Sequence, residues 1–261
     1  MDFLVCAYGE PDEAAFIPFI KDVIDGIEIQ NYDRRGVLSE SAWHQVLEEH
    51  RRLRPLLPGR LAVHGPFVGI DYTYKDHLLR DAVRKRLDMT FDMVCTLRPD
   101  TLVLHSGCPE QMVRFGLTDP WFEQAVAFWR QEIKRYEELG VRVVLENVVE
   151  PNPDLLIQLV DKVSSAYLGL CFDIGHATLC SPLPPAAWVE QMGNRLMHVH
   201  LHDNNGATDE HLPIGKGHID IDAFFDALYR LAPNATISLE IIAAPQIVVA
   251  NTLEVIRRYR S

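Results

Sequence analysis

The sequence predicts an α/β protein built as a single (β/α)8 barrel. Short apolar runs alternate with longer amphipathic ones, and eight such pairs fit within 261 residues, the usual size of that barrel. The short runs lie at 3–8, 25–30, 61–65, 101–105, 141–146, 167–173, 196–201 and 236–240. They are rich in Val, Ile and Leu and nearly continuous, as parallel strands covered on both faces require. A doubly wound sheet is the second architecture compatible with this alternation.

The intervening stretches read as helices. In 119–139, Asp119 can cap the N-terminus and Pro120 suits the first turn. Trp121, Ala125, Phe128, Trp129, Ile133, Tyr136 and Leu139 then follow helical spacing, and Gly140 supplies the stop. Asn152-Pro153 begins another helix and Asp220 opens the run containing Phe224, Phe225 and Leu228. Trp43, Val46, Leu47 and Leu53 mark the second helix, and the last spans 246–259. The stripe from Trp121 to Trp129 reads as core packing.

Hydrophobic residues make up 48 % and charged residues 24 %, which excludes a disordered tail, a fibre and a disulfide-rich miniprotein. A net charge of −12 argues against non-specific coating of nucleic acid. The five cysteines are odd in number and form no C-x-x-C pair, so a reducing compartment is expected. The first residues lack a basic signal-peptide start, and no run approaches the ~18 apolar residues of a membrane helix. The expectation is one cytoplasmic, soluble domain over 1–261 with no membrane partner.

What terminates the strands points to chemistry. The third ends in His64, the fourth in His105, the fifth in Glu146 and the sixth in Asp173. The seventh ends at His200 or its neighbours, and the eighth in Glu240. In a barrel these carboxyl ends converge on one mouth, where active sites are built. His176, Asp209 and His211 lie in the loops just beyond. Imidazoles mixed with carboxylates suit zinc first, with manganese, iron or magnesium as alternatives. His198, His200 and His202 share one strand face, so two of them can support a third that ligates.

Other residues carry blander expectations. His44, His50 and His77, on helices, read as hydrogen-bonded core histidines. Glu28 reads either as a substrate contact or as a solvated residue at the rim. Gly215-Lys216-Gly217 is a weak anion-loop pattern, and Cys108 and Cys171 read as small buried hydrophobes. Arg34, Arg35 and Arg114 follow strands and read as solvated surface charges.

The pieces Val63-His64-Gly65-Pro66-Phe67, Val103-Leu104-His105-Ser106-Gly107, Leu145-Glu146-Asn147 and Gly169-Leu170-Cys171-Phe172-Asp173-Ile174-Gly175-His176 occur in order. His200-Leu201-His202-Asp203, Asp209-Glu210-His211-Leu212-Pro213-Ile214-Gly215-Lys216-Gly217 and Leu239-Glu240 follow. Together they resemble the xylose-isomerase-like TIM-barrel superfamily, which includes endonuclease IV and many sugar isomerases and epimerases. The resemblance implies Glu146, Asp173, His200 and Glu240 around one divalent metal. It implies a second metal at His64 and His105 with Glu146 bridging, and a third at His176, Asp209 and His211. His200 is preferred over His198 and His202 because it stands three before Asp203, as in the family's His-Leu-Asn-Asp pattern.

Two chemistries follow from the resemblance, with Glu146, Glu240 and His200 as catalytic residues. The leading expectation is hydrolysis of a small phosphorylated or nucleotide-containing phosphoester by two or three metals. The alternative is sugar or sugar-phosphate isomerisation or epimerisation, in which one metal and a Glu pair act through an enediol. The loop from His200 to Asp209 is short, and Asp203-Asn204-Asn205 replaces the Asp-Ser/Ala-Lys of DNA-repair members, so duplex DNA is not the expected substrate.

Overall fold

A computed structural model describes residues 1–7, 13–20, 24–30, 32, 39–57 and 59–260. Its strands are β1 (Phe3–Ala7), β2 (Gly26–Ile29), β3 (Arg60–His64), β4 (Thr101–His105), β5 (Arg142–Glu146), β6 (Leu168–Asp173), β7 (Leu196–Leu201) and β8 (Thr236–Leu239). Each pairs in parallel with the next, and β8 closes on β1 through Leu4 and Ser238. That closure is the (β/α)8 barrel and excludes the doubly wound sheet. Among the described helices, none is long and apolar enough to cross a membrane.

Ten α-helices accompany the described strands: α1 (Ile17–Ile20), α2 (Glu40–Leu53), α3 (His77–Leu97), α4 (Glu110–Phe115), α5 (Asp119–Glu137), α6 (Asp154–Val163), α7 (Ile174–Cys180), α8 (Pro185–Met192), α9 (Ile221–Leu231) and α10 (Pro245–Tyr259). Asp220 caps α9 as its sequence position implies, accepting from the Ala223 amide at 3.0 Å. Asp119 does not cap α5. Thr118 holds that position without a side-chain bond, and Asp119 sits in the first turn. Helix α6 starts at Asp154 after Pro153, with the Asn152 side chain accepting from the Asp154 amide. Gly140, with φ of 70°, follows the end of α5.

Alternation within each strand sorts side chains between two compartments. One set fills the layer between strands and helices, where Trp121, Trp129, Trp188, Phe172 and Phe224 are fully buried. The other faces the barrel axis. There Val103, Val144 and Cys171 form a small separate apolar cluster, and polar residues occupy the same faces nearer the carboxyl ends. His50 is buried against the Tyr32 hydroxyl at 2.9 Å. His44 and His77, expected in the core, are instead exposed, because they fall on the outer faces of α2 and α3.

The barrel's outer layer should be intolerant of truncation. Phe172 is fully buried and its ring lies 5.6 Å from Trp188 and 5.9 Å from Phe224. Phe172→Ala is expected to cost about 3–5 kcal/mol, read by urea denaturation of the metal-free protein.

Candidate metal centre

Register brings the strand ends level. His105 pairs with Glu146 across β4 and β5, and Asp173 pairs with His200 across β6 and β7. As a result Glu146, Asp173, His200 and Glu240 each offer a ligand atom within 4.8 Å of the others. His200 Nδ1 lies 3.1 Å from Glu146 Oε1, 3.1 Å from Glu240 Oε2 and 3.8 Å from Asp173 Oδ2. Glu146 turns its other oxygen, Oε2, toward His64 Nε2 at 3.0 Å and His105 Nε2 at 3.6 Å. One carboxylate therefore joins two groups of potential ligands.

A third group adjoins them. Asp209 Oδ2 lies 3.3 Å from His176 Nε2 and 2.9 Å from His211 Nε2. His176 links this group to the first, with Nδ1 3.5 Å from Glu146 Oε1 and 3.6 Å from Asp173 Oδ1. All nine residues singled out in the sequence thus meet at one mouth.

Local structure explains their placement. Asp173 ends β6 and also caps α7, where Oδ1 accepts the His176 amide at 2.7 Å, so the turn that starts the helix delivers His176. Asn147 clamps this junction: its side chain donates to the Asp173 carbonyl and accepts from the Asp173 amide, both at 2.9 Å. His211 adopts a left-handed φ of 48°, and its ring returns to the Glu240 carbonyl.

The imidazole tautomers follow from their acceptors. Nδ1 of His64, His176 and His211 contacts the carbonyls of Gly65, Asn147 and Glu240 at 2.7, 2.9 and 2.9 Å. A carbonyl only accepts, so Nδ1 carries the proton in each and Nε2 is the nitrogen turned to the cluster.

Burial alone would raise the Glu28 and Glu146 carboxyls, but adjoining imidazoles, His200 foremost, hold both well below the ordinary range. Asp173, likewise opposed by burial, is held at about 2 by His176 and His202. Burial lowers His211, yet Asp209 and the other carboxylates carry it up to about 9, and carboxylates also raise His176 and His200 well above the usual value. Burial, reinforced by neighbouring imidazoles, pushes His105 down to about 3.

The donor set fits a divalent cation. Glu240 Oε2 is buried and accepts no hydrogen bond, although Gln30 donates to its partner Oε1 at 2.8 Å. A buried carboxylate oxygen without a donor is costly. A cation among Glu146, Asp173, His200 and Glu240 would satisfy it, and three carboxylates with an imidazole suit zinc, manganese or ferrous iron.

The structure corrects the expectation for Glu28, which is neither a substrate contact nor a solvated rim residue. It is fully buried, with Oε1 2.9 Å from His200 Nε2 and Oε2 2.8 Å from His198 Nε2. Ser238 adds a hydrogen bond to Oε2 at 2.5 Å. Holding Nε2 in this way leaves Nδ1 of His200 for the cluster. A lone Glu inside the apolar run 25–30 was the available signal, because a strand buried on both faces rarely carries an unpaired charge.

His202 is a second residue whose role the sequence left open. Its ring stacks on His211 at 4.0 Å, and Nε2 lies 3.2 Å from both Asp173 oxygens. Gly175 makes this possible, since a Cβ there would stand 2.0 Å from His202 Cε1.

The Gly215-Lys216-Gly217 amides hold no external anion. Gly215 and Gly217 donate to Asp203 Oδ2 at 3.0 and 2.8 Å, so the chain supplies its own carboxylate. Cys171 is buried as expected, whereas Cys108 is only half-buried. Arg114 is exposed and pairs with Glu110; Arg34 and Arg35 lie outside the described residues.

Fold and centre together define a (β/α)8 barrel with a buried carboxylate–imidazole cluster at the carboxyl ends of its strands. The chain belongs to the xylose isomerase-like TIM barrel family, whose profile matches residues 22–259. The uncharacterized protein MJ1311 of Methanocaldococcus jannaschii is 29 % identical over 234 residues, 83 % of this chain and 77 % of that protein. A D-tagatose 3-epimerase-like protein shares the fold with a TM-score of 0.78 at 24 % identity, covering 100 % of this chain and 97 % of its own. The TTHB071 protein of Thermus thermophilus, in a structure soaked with ZnCl2, gives a TM-score of 0.76 at 27 % identity over 100 % of both chains.

Glu28→Gln is expected to weaken zinc binding about 10–100-fold while the barrel stays folded, measured by competition with a chromophoric chelator. Zinc binding should also release protons at pH 7. His176, His200 and His211, raised by their carboxylates, hold protons in the metal-free protein and must surrender them to ligate. Affinity is therefore expected to rise between about pH 6 and 9, with calorimetric heats that depend on the buffer's ionisation enthalpy.

Proposed function

We propose that the protein is a divalent-metal-dependent sugar epimerase or isomerase that moves a proton between substrate carbon and the Glu146 and Glu240 carboxylates. The observation that carries this reading is that the two carboxylates converge on His200 Nδ1, each with an oxygen 3.1 Å from it. The structural likeness to a D-tagatose 3-epimerase-like protein supports the same chemistry.

A cation held by Glu146, Asp173, His200 and Glu240 would polarise a carbonyl and the adjoining hydroxyl, acidifying the carbon-bound hydrogen between them. Glu146 is suited to take that proton, because its depressed carboxyl is ionised at neutral pH. Glu240 is suited to exchange a proton with the resulting enediol. Gln30 anchors Oε1 and leaves Oε2 toward the cluster. Asp173 is held by the His176 amide and Asn147, so it serves to fix the site rather than to carry protons. Phe67, stacked on His105 at 4.8 Å, offers an apolar wall beside the reacting carbons.

A second reading, metal-assisted phosphoester hydrolysis, draws on a specific feature. The group of His64, His105 and Glu146 and the group of His176, Asp209 and His211 could hold further cations that a one-metal isomerase does not need. Likeness to a protein named for epimerisation favours the first reading.

The two are separated by incubating metal-reconstituted protein in D2O with D-tagatose or D-fructose and following carbon-bound deuterium by NMR. Incorporation is expected, and Glu240→Gln should reduce it by about 10²-fold or more. Absence of exchange with every ketose tested, together with turnover of bis(p-nitrophenyl) phosphate and two or three bound metals, would overturn the epimerase reading.

A further inference from the structure

The loops that follow β3, β4 and β5 enclose a second cavity of about 250 Å3 beside the centre. Its walls include Phe67, Ile70, Asp71, His105, Cys108 and Glu150. His105 stands between this cavity and the ligand cluster, since its Nε2 lies 3.6 Å from Glu146. The cavity is therefore continuous with the space a bound sugar would occupy.

Its charge is one-sided. Asp71 is 8 % exposed and Glu150 2 % exposed, and among the described residues lining the cavity there is no lysine or arginine. Every hydrogen bond these carboxylates accept comes from a neutral donor. Glu150 Oε1 accepts from the Ser106 hydroxyl at 2.9 Å, and Oε2 from the Val148 and Val149 amides at 2.7 and 3.0 Å. Asp71 Oδ1 accepts from the Thr73 amide at 2.8 Å and its hydroxyl at 2.6 Å. Oδ2 of Asp71 accepts nothing from the described residues and is the oxygen left for the cavity. The Cys108 thiol registers the resulting field: burial, then Glu150 and Asp71, push it up to about 12.

We infer that this cavity is the subsite for the part of the substrate remote from the reacting carbons. It takes a hydroxyl- or ammonium-bearing group and rejects phosphate, so the substrate is a non-phosphorylated sugar. The physical reason is that Asp71 Oδ2 needs a donor, which a hydroxyl or ammonium supplies. A phosphate offers only acceptors and negative charge to two carboxylates in a poorly screened pocket. The assignment to a sugar rests on the function proposed above; the sign of the cavity's charge does not.

The charge is tested without any substrate. In a Cys95→Ser/Cys180→Ser background, Cys108 is modified with the cationic aminoethyl and the anionic sulfonatoethyl methanethiosulfonates, followed by mass spectrometry. Normalised to free cysteine, the cationic reagent is expected to react at least tenfold faster. Asp71→Asn, which keeps an acceptor for Thr73, should shrink that preference several-fold. Equal rates, a faster anionic reagent or an unchanged preference in Asp71→Asn would overturn the inference.

Selectivity is then read by calorimetry on the metal-loaded full chain, with D-fructose against D-fructose 6-phosphate and D-glucosamine against D-glucose. The uncharged ketose should bind at least tenfold more tightly than its phosphate, and Asp71→Asn should narrow the gap. Tighter binding of the phosphate, or no binding of any probe, would refute the subsite. Preference for glucosamine over glucose would identify the group as ammonium, and the reverse as hydroxyl. If the charge preference holds while no sugar exchanges deuterium, the epimerase reading fails and the electronegative cavity stands.

Discussion

The mouth of this barrel depends on one buried carboxylate. Glu28 is fully enclosed, and a lone ionised carboxylate in that position would cost far more than the fold could sustain. It is stable there because β7 presents His198 and His200 to its two oxygens and β8 presents Ser238. The same contacts bind β2 to strands that are remote in sequence. They also set the ring of His200, whose remaining nitrogen faces Glu146, Glu240 and Asp173.

Above that layer the chain concentrates negative charge. Glu146, Asp173, Glu240 and Asp209 lie within a few ångströms of the His64, His105, His176, His200, His202 and His211 rings. The carboxylates hold several of those imidazoles protonated. Such an arrangement is self-consistent without a cation yet ready for one. Imidazolium protons and a divalent ion are alternative partners for the same oxygens, which couples metal binding to pH. Rigid scaffolding keeps the exchange local. Asn147, Gly65 and the Asp173 cap fix side chains from the backbone outward, so their orientation does not depend on what occupies the centre.

Much of this was legible in the sequence for a physical reason. Parallel strands buried on both faces must be continuously apolar, so a His, Asp or Glu at the end of each run stands out. That contrast located His64, His105, Glu146, Asp173, His200 and Glu240. Glu28 was visible by the same contrast but could not be interpreted, because its meaning lies in His198 and His200, 170 and 172 residues away. Asp119 looked like a cap because its side chain is suited to one; the chain enters α5 a residue earlier, at Thr118. His44 and His77 looked buried because helical period alone does not say which face meets the barrel.

The sequence by itself determined the strand–helix alternation, the barrel class and the nine residues at its mouth, since each is a local pattern of polarity, period or spacing. Only the tertiary structure decided how those residues share partners. It gave Glu146 two groups of neighbours, filled the Gly215–Gly217 amides with Asp203, and placed Gly175 where a Cβ would displace His202. These outcomes depend on the register and closure of eight strands. Register is set by packing across the whole barrel, and no single segment encodes it.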